Sequence, residues 1–115
     1  MRIENHEYSV RYSEPERVVL FSGSLRLNAA PEYQPITQLL DDALKQVQGQ
    51  SFNWDLRELK FLNSSGINML YQFVVKVRKL GDTQMHVRGS SAVPWQLKSL
   101  GNMTRFMPNL TLVLD

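Results

Sequence analysis

The stretch Phe61-Leu62-Asn63-Ser64-Ser65-Gly66-Ile67-Asn68-Met69-Leu70 decides the fold, because a strand meets a helix there. Upstream, Ser51 to Leu56 alternates between polar and apolar residues, which predicts a strand. Downstream, apolar residues recur at steps of three and four, which predicts an amphipathic helix from Ser65 to Leu80 that ends at Gly81. Two serines therefore stand at the start of a helix.

A helix start stabilises negative charge through its free backbone N–H groups, by about 0.3–1 kcal/mol at an exposed position. A phosphate on Ser64 or Ser65 would be favoured at this point. The serines also fit a simpler role as helix caps, since a serine oxygen accepts a hydrogen bond from an unpartnered N–H. The two roles are compatible.

The composition indicates a single ordinary domain covering residues 1–115, with 43% hydrophobic residues and no cysteine. No apolar run approaches the roughly 20 residues that a membrane-spanning helix needs. The first residues, Met1 to Glu7, are polar and mixed in charge, unlike a signal peptide. Without cysteine there is no disulfide and no thiolate chemistry. These features predict a cytoplasmic protein without a membrane partner.

The charge balance gives no sign of nucleic-acid binding. Thirteen basic residues against eleven acidic ones leave a net charge of +2. The densest basic group is Lys76, Arg78 and Lys79, in the last turn of the predicted helix. Cations there complement the helix C-terminus, whereas nucleic-acid binders usually concentrate Lys and Arg on one face. We therefore expect no nucleic-acid partner.

The remaining sequence alternates between strand and helix periods. A hairpin is predicted first, with strands at Tyr8–Tyr12 and Arg17–Gly23. The later elements are a helix with apolar residues from Ile36 to Val47 that ends at Gly49, a strand at Thr83–Arg88, a helix from Val93 to Leu100 stopped by Gly101, and a strand at Leu110–Leu114. The predicted order is β-β-α-β-α-β-α-β.

This order predicts an α/β fold with a mixed, mostly parallel sheet and packed helices. Strands separated by helices need crossover connections, and these make neighbouring strands parallel. Binding sites in such folds lie at the carboxyl ends of strands. The loop Asn63-Ser64-Ser65-Gly66 follows the third predicted strand, so it lies at such an end.

Two motifs carry a resemblance to a known family. The run Trp54-Asp55-Leu56-Arg57-Glu58-Leu59-Lys60-Phe61-Leu62-Asn63-Ser64-Ser65-Gly66-Ile67 is similar to an apolar-Asp-Leu strand followed by Asp-Ser-Ser-Gly and an apolar helix. The run Phe21-Ser22-Gly23-Ser24-Leu25 is similar to a Gly-x-Leu motif after a second strand. With the order of elements, these motifs resemble the STAS domain, the module of bacterial anti-sigma factor antagonists, over nearly the whole chain.

The resemblance implies partner switching in signal transduction and transcription regulation. An ATP-using serine protein kinase, often also an anti-sigma factor, phosphorylates the second serine of the loop. The unphosphorylated domain binds a partner, the phosphorylated domain releases it, and a phosphatase resets it. Carried onto this chain, the phosphoacceptor is Ser65, with Ser64 as the alternative.

The chain departs from the family at two positions. Asn63 stands where the family has an acid before the serines, and Arg26 where an acid usually follows Gly-x-Leu. Both positions belong to the surface that meets the kinase in the family. Asn63 remains a good capping residue. Helix geometry places Ser65, Asn68, Met69 and Gln72 along one side. The predicted partner-binding residues are Arg26, Asn28, Asn63, Ser64, Ser65, Gly66, Asn68, Met69 and Gln72.

Three hypotheses follow. The first is a non-catalytic protein–protein interaction module controlled by phosphorylation of Ser65. The second is a constitutive binding module that is never phosphorylated and whose partner surface is rewired at Asn63 and Arg26. The third, from another class, is a small serine hydrolase built on Ser65 and His86, although the Gly-x-Ser-x-Gly elbow is absent.

No cofactor or metal site is predicted. The chain has no glycine-rich phosphate loop, and its two histidines are far apart in sequence. Asp55, which ends the third predicted strand, is expected to be structural rather than catalytic. Trp54 and Trp95 are expected in or near the core, since no exposed face interleaves aromatic and basic residues as a single-strand nucleic-acid site does.

Overall fold

A computed structural model describes all residues from Met1 to Asp115. It contains one six-stranded sheet in which the strands stand side by side in sequence order. The first two neighbouring pairs are antiparallel and the other three are parallel. The strands are β1 Arg2–Glu4, β2 Tyr8–Ser13, β3 Val18–Leu25, β4 Ser51–Leu62, β5 Gln84–Gly89 and β6 Thr111–Leu114.

Two long helices and two short ones connect the parallel strands. They are α1 Ala30–Gln46, α2 Ser64–Leu80, α3 Pro94–Ser99 and α4 Met103–Phe106, with a 3₁₀ turn at Leu100–Asn102 between the last two. No helix has both the length and the apolar character that crossing a membrane requires. The predicted α/β fold with a mixed, mostly parallel sheet is confirmed. The structure adds β1 and α4, which are too short for their periods to be read from sequence.

All helices lie on one face of the sheet. Because β3 to β6 follow one another in order and parallel crossovers are right-handed, every crossover falls on the same side. The rows of paired residues show this. Val10 pairs with Phe21, and Val19, Trp54 and Val87 form a second row. All five are buried, and they join α1 and α2 in a single cluster of 27 buried residues. The other face, which we call the open face, carries polar side chains.

Strand β4 extends further than its sequence pattern predicts. The strand was expected to end near Leu56, but it continues to Leu62. Its pairing with β3 slips between Leu20 and Ser22 and again between Gly23 and Ser24. These bulges place extra residues on β4, so burial changes from steps of two to steps of three, at Leu56, Leu59 and Leu62. The alternation is lost although the strand is not.

The second half of β4 runs beyond β5 and is completed by α3. Strand β5 pairs only with Ser51 to Asp55. Beyond that point, the fully buried Gln96 donates its Nε2 to the carbonyls of Leu56 and Leu59, and its Oε1 accepts from the Ser90 N–H at 2.7 Å. Trp95 Nε1 also donates to Leu59 O at 2.9 Å. Side chains thus replace strand partners, so the buried carbonyls remain hydrogen-bonded.

Candidate functional site

The two serines begin α2, and Asn63 caps it. Asn63 has an extended backbone, and its Oδ1 accepts the N–H of Gly66 at 3.0 Å. The carbonyl of Asn63 accepts the first helical hydrogen bond, from Ile67. Ser64 and Ser65 are therefore the first two helical residues, and the capping role considered for them falls to Asn63. The capping ability expected of Asn63 is confirmed.

The side chain of Asn63 joins three segments of the chain. Its Oδ1 also accepts the phenol of Tyr33 in α1 at 2.7 Å, and its Nδ2 donates to Leu27 O at 2.7 Å. Burial raises the pKa of the Tyr33 phenol, so the phenol remains a donor at neutral pH. A carboxylate at position 63 could not donate to Leu27 O. The amide that departs from the family pattern thus makes one contact that the family's acid could not.

Gly66 allows α2 to approach the sheet closely. The residue is buried, and a Cβ there would lie 2.2 Å from Leu62 Cδ1 and 2.7 Å from Tyr33 Oη. Only glycine fits this contact without a shift of its neighbours. Asn63 and Gly66, both predicted as partner-binding residues, are therefore turned into the protein, where they position the loop.

The Gly-x-Leu motif lies directly beside the serine loop. Gly23 has a φ of 88°, and a Cβ on it would lie 2.2 Å from the Glu7 carbonyl oxygen. Leu25 is buried, pairs with Leu62, and its carbonyl accepts the N–H of Asn63 at 3.3 Å. The two motifs that were separate in sequence therefore form one structure at the carboxyl ends of β3 and β4.

The serine hydroxyls are loosely held. Ser65 Oγ donates to the Asn28 carbonyl at 3.4 Å, long for a hydroxyl hydrogen bond. Ser64 is exposed, and Ser65 is half-buried. The N–H groups of both residues precede the capped N–H of Gly66 and have no backbone partner. No acidic residue lies in the first turn of α2.

Ser65 stands at one end of a groove between α1 and α2. This α1–α2 groove has a volume of about 410 Å³. It brings together four of the predicted partner-binding residues, Ser65, Asn68, Met69 and Gln72. Sequence reasoning missed the other lining residues, which are Ala30, Tyr33, Gln34 and Thr37 of α1 and Phe73 and Lys76 of α2. Tyr33 lies three residues before Ile36, on the same apolar face of α1, so its burial could have been predicted from the sequence.

Arg26 lies against Phe61 and does not line the α1–α2 groove. Its guanidinium carbon stands 4.7 Å from the ring centroid of Phe61, a cation–π arrangement. Arg26 is exposed, and Phe61 is 41% exposed. Phe61 pairs with Ser24 at the end of β4. Aromatic residues and arginine are enriched in protein–protein interfaces. The bulges obscure the strand register of Phe61 in the sequence.

His86 and Ser65 are not brought together. His86 pairs with Asn53 near the first end of β4, whereas Ser65 follows the far end. The part of β4 from Asn53 to Leu62 spans roughly 25–30 Å. His86 also contributes to the open face rather than the helical face. No group of three or more His, Cys, Asp or Glu side chains is close enough to hold a metal ion.

Asp55 takes part in an ion-pair network on the open face. Its carboxylate accepts two hydrogen bonds from the Arg57 side chain and one from the Arg57 N–H, at 2.7–3.1 Å. The Arg57 hydrogen bond is the main cause that lowers the pKa of Asp55 below its usual value. Asp115 joins Arg57 and Arg88 at 3.6 and 2.8 Å. Asp55 lies within β4 rather than at a strand end, and its partners are structural.

The geometry of the site comes from a few polar contacts at the carboxyl ends of β3 and β4. These contacts fix the backbone of the serine loop and leave the serine hydroxyls accessible beside an exposed groove. Comparison of the chain with protein-family models, with curated proteins and with solved structures gives no match.

Proposed function

We propose that the protein is a non-catalytic bacterial signalling module that binds a protein partner through the surface around Ser65. Phosphorylation of Ser65 releases the partner. The observation that carries this proposal is that Asn63 caps α2 in place of the serines. The Ser65 hydroxyl is therefore not needed as a cap, and its position on the first turn of a helix without an acid favours a phosphate.

The charge of a phosphate is sufficient for such a switch. It adds about −1.5 to −2 charge and three acceptor oxygens. Within a desolvated contact, an unpaired charge of this size costs several kcal/mol. Since each 1.4 kcal/mol is about tenfold in affinity, one phosphate changes binding by orders of magnitude. The exposed residues Asn68 and Gln72 beside Ser65 offer the partner a surface that lies within reach of that charge.

The pathway follows from the resemblance to STAS-domain anti-sigma factor antagonists. The enzyme that acts on Ser65 is a serine protein kinase or an anti-sigma-factor-like protein that uses ATP, and a phosphatase reverses the reaction. The module would work in the cytoplasm, where ATP and the transcription machinery are found. It supplies no chemistry itself.

A second candidate is a constitutive binding module. It is favoured by Arg26, a cation where the family has an acid, and by the Phe61 ring on which this cation lies. In that case Ser65 remains unmodified, and the Arg26–Phe61 pair selects a different partner. The two candidates differ in one measurable property, the presence of phosphate on the loop.

Mass spectrometry of the protein isolated from cells tests the first candidate. Trypsin releases the loop in one peptide, Phe61–Lys76, which contains both serines. Phosphate is expected on Ser65, absent from the Ser65→Ala variant and retained in the matched Ser64→Ala variant. An unmodified peptide under all growth conditions, and after incubation with ATP and the kinases encoded by neighbouring genes, rejects the switch and supports constitutive binding.

The release step is tested with protein that carries phosphoserine at position 65. Its affinity for the kinase that labels Ser65 is expected to be at least tenfold weaker than that of the unmodified protein. Phosphoserine at position 64 serves as the matched control, because Ser64 does not line the α1–α2 groove. Equal affinity of all three forms would show that the phosphate does not control binding.

A further inference from the structure

The segment that carries Arg26 runs alongside the serine loop and is hydrogen-bonded to it. The Leu27 carbonyl accepts Asn63 Nδ2 at 2.7 Å, and the Asn28 carbonyl accepts the Ser65 hydroxyl at 3.4 Å. Because consecutive Cα atoms are about 3.8 Å apart, the Cα atoms of Arg26 and Asn28 are separated by at most about 7.6 Å. An extended arginine side chain has a comparable length. Arg26 is thus within reach of a group attached to the Ser65 hydroxyl.

Arg26 is a cation without a carboxylate partner. Its side chain is exposed and takes part in none of the ion pairs of the molecule. Its guanidinium lies on the Phe61 ring, and an exposed cation–π contact of this kind is weak. The nearby Lys60, by contrast, pairs with Glu58 at 3.8 Å. Arg26 can therefore exchange the ring for a stronger partner.

A phosphate on Ser65 would be placed among groups that repel it. The ester oxygen carries no proton, so the hydrogen bond to the Asn28 carbonyl is lost and two acceptors face each other. Glu32 of α1 lies at the same corner, where its carboxylate accepts the Asn28 N–H at 2.7 Å. The phosphate therefore needs a counter-ion, and Arg26 is the basic residue on the segment that contacts Ser65.

We infer that Arg26 is the intramolecular counter-ion of a phosphate on Ser65. Its guanidinium leaves the Phe61 ring and donates two parallel hydrogen bonds to phosphate oxygens, the geometry that arginine and phosphate favour. The inference rests on the proposed function, because it needs a phosphate on Ser65. A phosphate carries about −1.5 to −2 charge, so the paired loop remains negative. The pairing also uncovers Phe61, and the modification then alters a second part of the surface.

Protein produced with phosphoserine at position 65 tests the pairing without any kinase. ³¹P NMR measures the second pKa of the phosphate, which is about 6 without a partner. A bound guanidinium stabilises the dianion and lowers this pKa, so Arg26→Gln is expected to raise it by roughly 0.5–1. Glu32 opposes the effect of Arg26, and Lys76 lies at the other end of the groove in its pair with Asp41. All three of these residues are kept in every variant.

Two further variants separate pairing from general charge. Arg26→Lys keeps the charge but not the planar pair of donors, and should give a phosphate pKa between those of the parent and Arg26→Gln. Lys60→Gln is the matched control, since it removes one exposed cation beside Phe61 in sequence. Its effect should be less than half that of Arg26→Gln. No change in Arg26→Gln, or equal effects of Arg26→Gln and Lys60→Gln, would overturn the inference.

The Nε–H signal of Arg26 reports the same pairing directly. In ¹H–¹⁵N spectra it is expected to move downfield when position 65 carries phosphoserine, because the N–H then donates to a phosphate oxygen. The ring signals of Phe61 should shift in the same sample as the guanidinium leaves the ring. An Arg26 Nε–H signal that is identical with and without the phosphate rejects the pairing.

The combined outcomes distinguish the pairing from the switch. A phosphate pKa that depends on Arg26, in a protein that cells never phosphorylate, supports the pairing and removes the proposed function. Phosphate on the Phe61–Lys76 peptide from cells, with a pKa that Arg26→Gln leaves unchanged, removes the pairing and leaves the switch.

Discussion

The phenol of Tyr33 donates a hydrogen bond to Asn63 Oδ1 at 2.7 Å, and this contact joins α1 to the start of α2. Tyr33 is buried, and the same Asn63 oxygen accepts the N–H of Gly66. The serine loop is thus fixed from the helical layer as well as from the sheet.

Replacing Tyr33 by phenylalanine removes the phenol and leaves the ring in place. We expect a loss of about 1 kcal/mol in the free energy of unfolding, the usual net value of one hydrogen bond. Faster amide hydrogen exchange is expected at Gly66, because the acceptor that caps it is less restrained. Urea denaturation and hydrogen exchange measure the two effects. Unchanged exchange at Gly66 would show that Tyr33 does not order the helix start.

Asn63→Asp tests the donor function of the amide. An ionised carboxylate keeps the cap but places negative charge against the Leu27 carbonyl, to which Asn63 Nδ2 now donates. We expect a destabilisation of about 1–3 kcal/mol at pH 7, because a buried polar group loses its partner. Protonation of the new acid restores a donor. Because the ionised form is the destabilised one, the folded pKa of this acid should lie above its unfolded value of about 4, and the deficit should shrink as the pH falls toward that value. A variant as stable as the natural protein at pH 7 would contradict this.

Gly66→Ala introduces a methyl group where there is no space. The new carbon would lie 2.2 Å from Leu62 Cδ1, so side chains must shift, at a cost of about 1–3 kcal/mol. Gly101→Ala is the matched control, because no atom lies within 4 Å of the corresponding position. The control should be neutral or slightly stabilising. Equal effects of the two changes, measured by urea denaturation, would argue against close packing at Gly66.

Gln96→Leu removes one amide that serves three backbone groups, of which only the Leu59 carbonyl keeps a second side-chain partner, Trp95 Nε1. The carbonyls of Leu56 and Leu59 and the N–H of Ser90 all bind this amide. We expect a loss of about 2–4 kcal/mol in unfolding free energy. The neighbouring change Leu97→Gln, at a side chain 59% exposed, should remain within about 0.5 kcal/mol. A small effect at Gln96 would mean that water replaces the amide.

Asp55→Asn tests the open-face network through its pH dependence. Because Arg57 lowers the pKa of Asp55 in the folded state, the carboxylate stabilises the fold above its unfolded pKa of about 4. That stability is lost as the pH falls through the lower folded pKa. The variant should therefore be about 1 kcal/mol less stable at pH 7, with the difference closing on acidification.

Glu58→Gln provides the control for the Asp55 prediction. Glu58 pairs with Lys60 at 3.8 Å, but its side chain is 73% exposed, so the pair contributes little. Thermal unfolding from pH 3 to pH 7 compares the two variants. A difference between Asp55→Asn and the natural protein that does not depend on pH would argue against the ion pair as its cause.

The sequence allowed the fold class and the serine loop to be predicted, because both depend on local periods and on turn residues. The hairpin, the two long helices and the position of Ser65 after a parallel strand all follow such local patterns. The end of β4 could not be predicted, since its bulges are set by pairing with β3 and erase the alternation after Leu56. Likewise, the contact of Tyr33 with Asn63 joins residues thirty positions apart.

For the same reason, the sequence predicted only the α2 side of the α1–α2 groove. Helix geometry placed Asn68, Met69 and Gln72 on one side of α2, but the facing residues of α1 depend on how the two helices pack. The exposed pair Arg26 and Phe61 could not be predicted, because the bulges interrupt the alternation of β4 before Phe61. Phosphorylation of Ser65 stays a prediction, because it depends on a separate protein, the kinase.

The three hydrogen bonds of the Asn63 side chain determine how the loop would respond to a phosphate on Ser65. They hold the loop backbone from inside, and none involves a serine hydroxyl. A phosphate added to Ser65 would therefore leave these three hydrogen bonds, and the loop backbone that they hold, unchanged. The two forms of the domain would then share one backbone and differ in the charge that they present to the partner.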